Sequence, residues 1–115
     1  MKLDPYLVVV SARDRSSRAS ILLRAAGYQV TKLPESAVAA REAILLQPDG
    51  VILDLPPLQA NRMTAQLAAM APTIPLLVVT SAPAFVHGPA IPRMEIEWAL
   101  TTAVDRLLVE SRRVA

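Results

Sequence analysis

Short apolar runs and longer mixed segments alternate along this chain. Leu7-Val8-Val9-Val10, Val51-Ile52-Leu53 and Leu76-Leu77-Val78-Val79 are brief and aliphatic, with no polar position inside them. Such runs read as strands buried on both faces of a parallel sheet, extending over Tyr6–Val10, Val51–Leu55 and Leu76–Thr80. Tyr28-Gln29-Val30-Thr31 is more polar and suits a sheet edge. Between the strands the period changes. Ala19, Leu22, Leu23 and Ala26 recur at helical spacing, after capping candidates Asp14, Ser16 and Ser17 and before the stop Gly27. Pro34-Glu35-Ser36 opens a second helix through Leu46, with Ala39, Ala40, Ala43 and Leu46 inward. Pro48-Asp49-Gly50 is a turn. Pro56 and Pro57 read as a loop before a helix from about Asn61 to Met70, which Pro72 ends. This alternation predicts a parallel sheet with helices on both faces.

After Thr80 the rhythm breaks. Ser81-Ala82-Pro83 leads almost directly to Ala84-Phe85-Val86, a candidate fifth strand. Parallel neighbours need a crossover of about a dozen residues or more. Either Ala84–Val86 is not a parallel strand of the sheet, or its connection is unusual. The last element is plain: a helix from Met94 to about Arg112, with Ile96, Leu100, Val104, Leu107 and Leu108 on one face and Trp98 off that stripe.

Composition narrows the function classes. At 115 residues the chain is long enough for one domain with its own core, and no repeat or linker divides residues 1–115. Hydrophobic residues make up 53% and aromatic ones 3%, so the core is aliphatic. Twelve basic and ten acidic residues give a net charge of +2, with no Arg/Lys stripe and few aromatics for base stacking, which argues against nucleic-acid binding. There is no cysteine and one histidine, His87, so disulfides and a His/Cys zinc site are not expected. The apolar runs are too short to span a bilayer. The N-terminus lacks the marks of a signal peptide, and a cytoplasmic location is expected. Glycines are only three, without a phosphate-cradling loop, and no Ser/His/Asp arrangement suggests a hydrolase; an enzyme is not expected.

Asp54 is the residue where chemistry is expected. It ends the run Val51-Ile52-Leu53-Asp54, and open parallel sheets bind ligands at the carboxyl ends of their strands. The neighbouring first strand ends in Val10 and Ser11, with no acid.

Five segments in order resemble the response-regulator receiver domain of two-component signalling, a flavodoxin-like phosphoacceptor module. They are Leu7–Val10, Leu22–Val30 (LLRAAGYQV), Pro48–Leu55 (PDGVILDL), Pro75–Ala82 (PLLVVTSA) and Ala84–Pro89 (AFVHGP). The likeness covers residues 6–80 well and 84–110 loosely. It implies an α/β three-layer sandwich with the fourth helix deleted. It implies Asp54 as phosphoacceptor and Thr80 and Phe85 as the switch pair. The family's acidic pair, which holds Mg²⁺, falls on Val10 and Ser11; its lysine falls on Gly88; the proline four residues past the acceptor falls on Leu58.

These departures bear on mechanism. Phosphoryl transfer needs cationic neutralisation of the transferring oxygens. Asp54, with a Leu55 or Pro56 carbonyl and water, makes only a weak Mg²⁺ site, since Mg²⁺ usually takes one or two carboxylates. Arg13 is a candidate phosphate contact, with Arg62 a second, because guanidinium suits phosphate. Asp14 is a displaced carboxylate or, more simply, a helix cap. Each residue also has a plain structural reading: Asp54 a solvated strand-end acid, Thr80 a strand terminus, Phe85 a core or interface filler, Trp98 a cover for the missing helix. Two readings follow. One is a stand-alone receiver without an output domain, phosphorylated on Asp54 by a histidine kinase and acting through protein contact. The other is a phosphorylation-independent pseudo-receiver, a dimerisation or interaction module. With the fourth helix deleted, Ile96, Trp98, Leu100, Val104 and Leu107 are the expected interface of a homodimer or tight hetero-complex.

Overall fold

The computed structural model describes residues 4–12 and 17–114, with side chains as far as residue 110. Its elements run β1 (Tyr6–Ser11), α1 (Arg18–Ala25), β2 (Gln29–Pro34), α2 (Ala39–Leu45), β3 (Gly50–Asp54), α3 (Pro57–Met70), β4 (Leu76–Thr80), β5 (Ala90–Pro92) and α4 (Ile96–Val114), with short 3-10 turns at Pro83–Phe85 and Arg93–Glu95. The sheet has five strands in the order β2-β1-β3-β4-β5. Every pairing is parallel. Strand order reverses between β1 and β3, which makes their carboxyl ends the natural crevice of the sheet.

Strand alternation sorts the core into two layers. Val8, Val10, Val51, Leu53 and Val78 join Ala39, Ala40, Ala43, Ala60, Met63 and Leu67 beneath α2 and α3. Leu7, Val9, Ile52, Leu77 and Val79 join Ala19, Leu23, Ile96, Leu100, Val104 and Leu108 beneath α1 and α4. The aliphatic runs thus have no polar position because both their faces are covered. The alanine face of α2 lets that short helix lie close to the sheet.

Local chemistry sets the boundaries. Ser17 caps α1, its Oγ accepting the Ser20 amide at 3.3 Å, and Gly27 follows the helix with φ +100°, a left-handed turn that glycine enters without a Cβ penalty. Pro56 and Pro57 do not make the expected loop. Pro56 occupies the N-cap and Pro57 begins α3, where the missing amide would be unpaired in any case. Asp49 ties the β3 entrance to β1, its carboxylate accepting the Tyr6 amide at 2.7 Å. Arg18 and Glu97 join α1 to α4 through an exposed ion pair at 2.6 Å; Arg18's hydrogen bond, and less so its charge, holds the Glu97 carboxyl below its usual range.

The region after Thr80 resolves the open question of the fifth strand. Ala84–Val86 is not a strand; Pro83–Phe85 forms a 3-10 turn, and β5 is the three-residue Ala90–Pro92, pairing Val78 with Ala90 and Thr80 with Pro92. The crossover over residues 81–89 is short for a parallel connection. It closes because one turn replaces a helix and because Asn61 fastens it to α3. Asn61 Nδ2 donates to the Phe85 carbonyl at 2.8 Å, and its Oδ1 accepts the His87 amide at 2.9 Å.

The final helix also corrects an expectation. Leu100 and Val104 are fully buried and Ile96 nearly so, while Leu107 packs partly against the same cluster. That stripe is spent on the chain's own sheet and is not free for a partner. Trp98 is 69% exposed and does not fill a gap. Replacing Leu100 with Ala should therefore cost about 2–5 kcal/mol in urea denaturation. Trp98→Ala should change stability by less than about 0.5 kcal/mol, as at an ordinary surface position.

Candidate functional site

The polar groups left in the heart of the sheet gather at its carboxyl edge. Ser11 and Asp54 are register partners at the ends of β1 and β3, and Asp54 in turn lies beside Val79. Asp54 shares the alternation of Ile52, so it leans toward the α1 and α4 side. Among the described residues, two meet it there. Arg93, in the turn between β5 and α4, donates from Nη2 to Asp54 Oδ1 at 2.6 Å. Ser17 Oγ donates to Asp54 Oδ2 at 3.2 Å while also capping α1. Both carboxylate oxygens are thus engaged. The Asp54 side chain is 12% exposed and that of Arg93 35%, so the pair is shielded enough for a charge-assisted bond to count.

Orphaned polar atoms lie at the carboxyl ends of the strands and on Arg93 itself. Ser11 Oγ, Thr80 Oγ1 and Arg93 Nε are buried without a hydrogen-bond partner among the described residues. Thr80 is fully buried at the end of β4, and alternation sets it on the Val78 side, toward α2 and α3. Val10 is buried in that same layer. Arg62 is exposed on α3 and lines a groove of about 450 Å³ with Glu35, Ser36, Gln59, Met63 and Gln66; Asp54 is not part of it. Arg13 and Asp14 lie outside the described residues.

Among the described residues, the donor set around Asp54 does not fit Mg²⁺. The ion demands near-octahedral oxygen ligands, usually with one or two carboxylates. Opposite Asp54 stands a hydroxyl, and a guanidinium already occupies the carboxylate. Among the described residues no group of three or more His, Cys, Asp or Glu side chains is placed to hold a metal ion.

No family model matches the chain, and no curated protein matches it. Solved structures do. One is a response regulator receiver protein from Sinorhizobium medicae WSM419, 18% identical, with a TM-score of 0.71 over 96% of this chain and 99% of that one. Another is a protein assigned as a response regulator from Chloroflexus aurantiacus J-10-fl, 19% identical, with a TM-score of 0.68 over 93% of this chain and 99% of that one. The chain has the receiver-domain fold.

Within that receiver fold the structure revises where the cation sits. The sequence likeness put the lysine position on Gly88, but Gly88 precedes β5, in a bend with φ +137°. The cation at the end of the last strand is Arg93, which the sequence reading missed. The signal was available: a strand Ala90-Ile91-Pro92 followed at once by a basic residue, masked by the apolar triplet Ala84–Val86. Phe85, the expected aromatic switch, stands outside the sheet with 71% of its surface exposed. Leu58, at the expected proline position, lies in the first turn of α3 and is exposed.

A double-mutant cycle between Asp54→Asn and Arg93→Gln should return a coupling of about 1–3 kcal/mol in urea denaturation. A coupling near zero would reduce the pair to an ordinary surface contact.

Proposed function

We propose that this chain is a receiver-type module of a two-component pathway that works through protein contact, with Asp54 held by Arg93 rather than poised to accept phosphate. The observation that carries this reading is the double engagement of Asp54: an oxygen that must attack phosphorus is instead an acceptor for Arg93 at 2.6 Å, and the other accepts from Ser17 at 3.2 Å. No second carboxylate stands at the Ser11 register position to recruit the metal ion that phosphoryl transfer uses. On this reading the chain is a binding module rather than an enzyme and resides in the cytoplasm. Its partner is a histidine kinase, another signalling protein or a second copy. Among the described residues, no helix is long and apolar enough to cross a membrane.

The contact surface in this proposal differs from the α4 stripe. The exposed apolar side chains on either side of β5 along the chain are Phe85 before it and Met94 and Trp98 after it, at 71%, 87% and 69% exposure. Buried aromatic anchors carry a large share of interface energy, which makes Trp98 the first residue to vary.

A second reading, phosphorylation of Asp54, is favoured by one feature. Arg93 places a guanidinium beside the strand-end carboxylate, where it could balance charge on a phosphoryl group.

Intact mass after incubation with acetyl phosphate and Mg²⁺ separates the two. The expected result is no adduct on folded wild-type protein. An adduct present on wild type and lost in Asp54→Asn would establish the phosphoacceptor reading instead.

A further inference from the structure

The site disagrees with the metal ion that receiver domains use, and the disagreement has a definite form. We infer that Arg93 is the resident counter-cation of Asp54, taking the place of a divalent metal, and that this pair latches the β5–α4 junction onto the centre of the sheet. The inference rests on the receiver-type reading of the site.

Three observations carry it. First, the cation is covalently part of the chain and already in contact: Nη2 reaches Asp54 Oδ1 at 2.6 Å. A divalent ion would have to displace a guanidinium and then sit beside it, with one carboxylate among the described residues to offset three positive charges. Second, the position that should supply a further carboxylate is occupied by Ser11, whose Oγ is buried with no partner among the described residues. Among the described residues, a hydroxyl in place of an acid leaves one negative charge where β1 and β3 end, which a single guanidinium neutralises. Two acids would have left the site with excess charge and a need for a metal. Third, the pair adds a side-chain tie between β3 and the turn after β5, which are not neighbours in the sheet. Asp54 ends β3, the middle strand, whereas Arg93 lies just after β5, a three-residue edge strand whose residues are only partly buried. Met94 follows directly on the arginine and Trp98 lies in the first turn of α4, both strongly exposed.

The consequence is a site that is insensitive to divalent ions as it stands but becomes sensitive when the charge balance is reversed. Trp98 is the only tryptophan and reports on the junction. The test is Mn²⁺ titration of the full chain, read by calorimetry, thermal midpoint and Trp98 fluorescence. Wild type should show no Asp54-dependent response at millimolar Mn²⁺. The Ser11→Asp/Arg93→Gln variant should bind Mn²⁺ at least about tenfold more tightly, and a further Asp54→Asn should abolish that gain. Arg93→Gln alone, which adds no buried acid and serves if the double variant does not fold, should show a Mn²⁺-dependent rise in thermal midpoint that wild type lacks. It should also shift the Trp98 emission without metal, since the junction is then unlatched. Wild-type Mn²⁺ binding that is lost in Asp54→Asn would overturn the inference, as would the absence of any gain in folded variants. An acetyl-phosphate adduct formed without divalent metal would defeat the contact-only function while leaving Arg93 as the counter-cation.

Discussion

Burial of a parallel sheet on both faces is the constraint from which the rest of this structure follows. Strands β1, β3 and β4 are covered by α1 and α4 on one side and by α2 and α3 on the other. No polar side chain is tolerated inside them, because an unpaired buried polar group costs more than most contacts return. Polar groups are therefore displaced to the carboxyl ends, where helices begin and loops leave the sheet. Ser11, Asp54 and Thr80 are all found there. The same constraint makes the core aliphatic: Val, Leu and Ile satisfy a strand buried twice, and small alanines let α2 approach closely.

At that edge one charge decides the character of the site. A shielded carboxylate needs a partner, and removing a partner from such a pair is more damaging than the net worth of forming it. Arg93 supplies the partner from the far side of the sheet. Because its donor is a planar guanidinium on a long stem, it reaches from the turn after β5 to the end of β3. Ser17 adds a hydroxyl that also caps α1, so the first helix, the central strand and the last helix meet at one acid. A cation delivered by the chain itself changes what Asp54 can do: it is satisfied before any ligand arrives.

Much of the architecture was legible in the sequence. Leu7–Val10, Val51–Leu53 and Leu76–Val79 could only be doubly buried strands, and Ala19, Leu23, Leu100 and Val104 recur at helical spacing. Asp54 at the end of such a strand marked the crevice. The misreadings have physical causes. Pro56-Pro57 looked like a loop, but proline is also well suited to the start of a helix, where no amide partner is needed. Ala84-Phe85-Val86 was only a candidate for the fifth strand: Phe and Val favour one, but its distance from Thr80 is too short for a parallel crossover. The true edge strand, Ala90-Ile91-Pro92, contains a proline, which an edge accepts and a central strand would not. The α4 stripe looked like an interface on the premise that the missing helix leaves it bare, but α4 lays those residues on β1, β3 and β4.

By itself, then, the sequence determined the alternation of strand and helix, the parallel sheet, the aliphatic core and the strand-end acid. These follow from local periodicity and from the rule that apolar runs are buried. Only the tertiary structure decided which groups meet Asp54. Arg93 is thirty-nine residues away along the chain and Ser17 thirty-seven. Their convergence depends on the 2-1-3-4-5 strand order and on a short crossover fastened by Asn61, and no local pattern of side chains encodes a contact between the end of one strand and the turn after another.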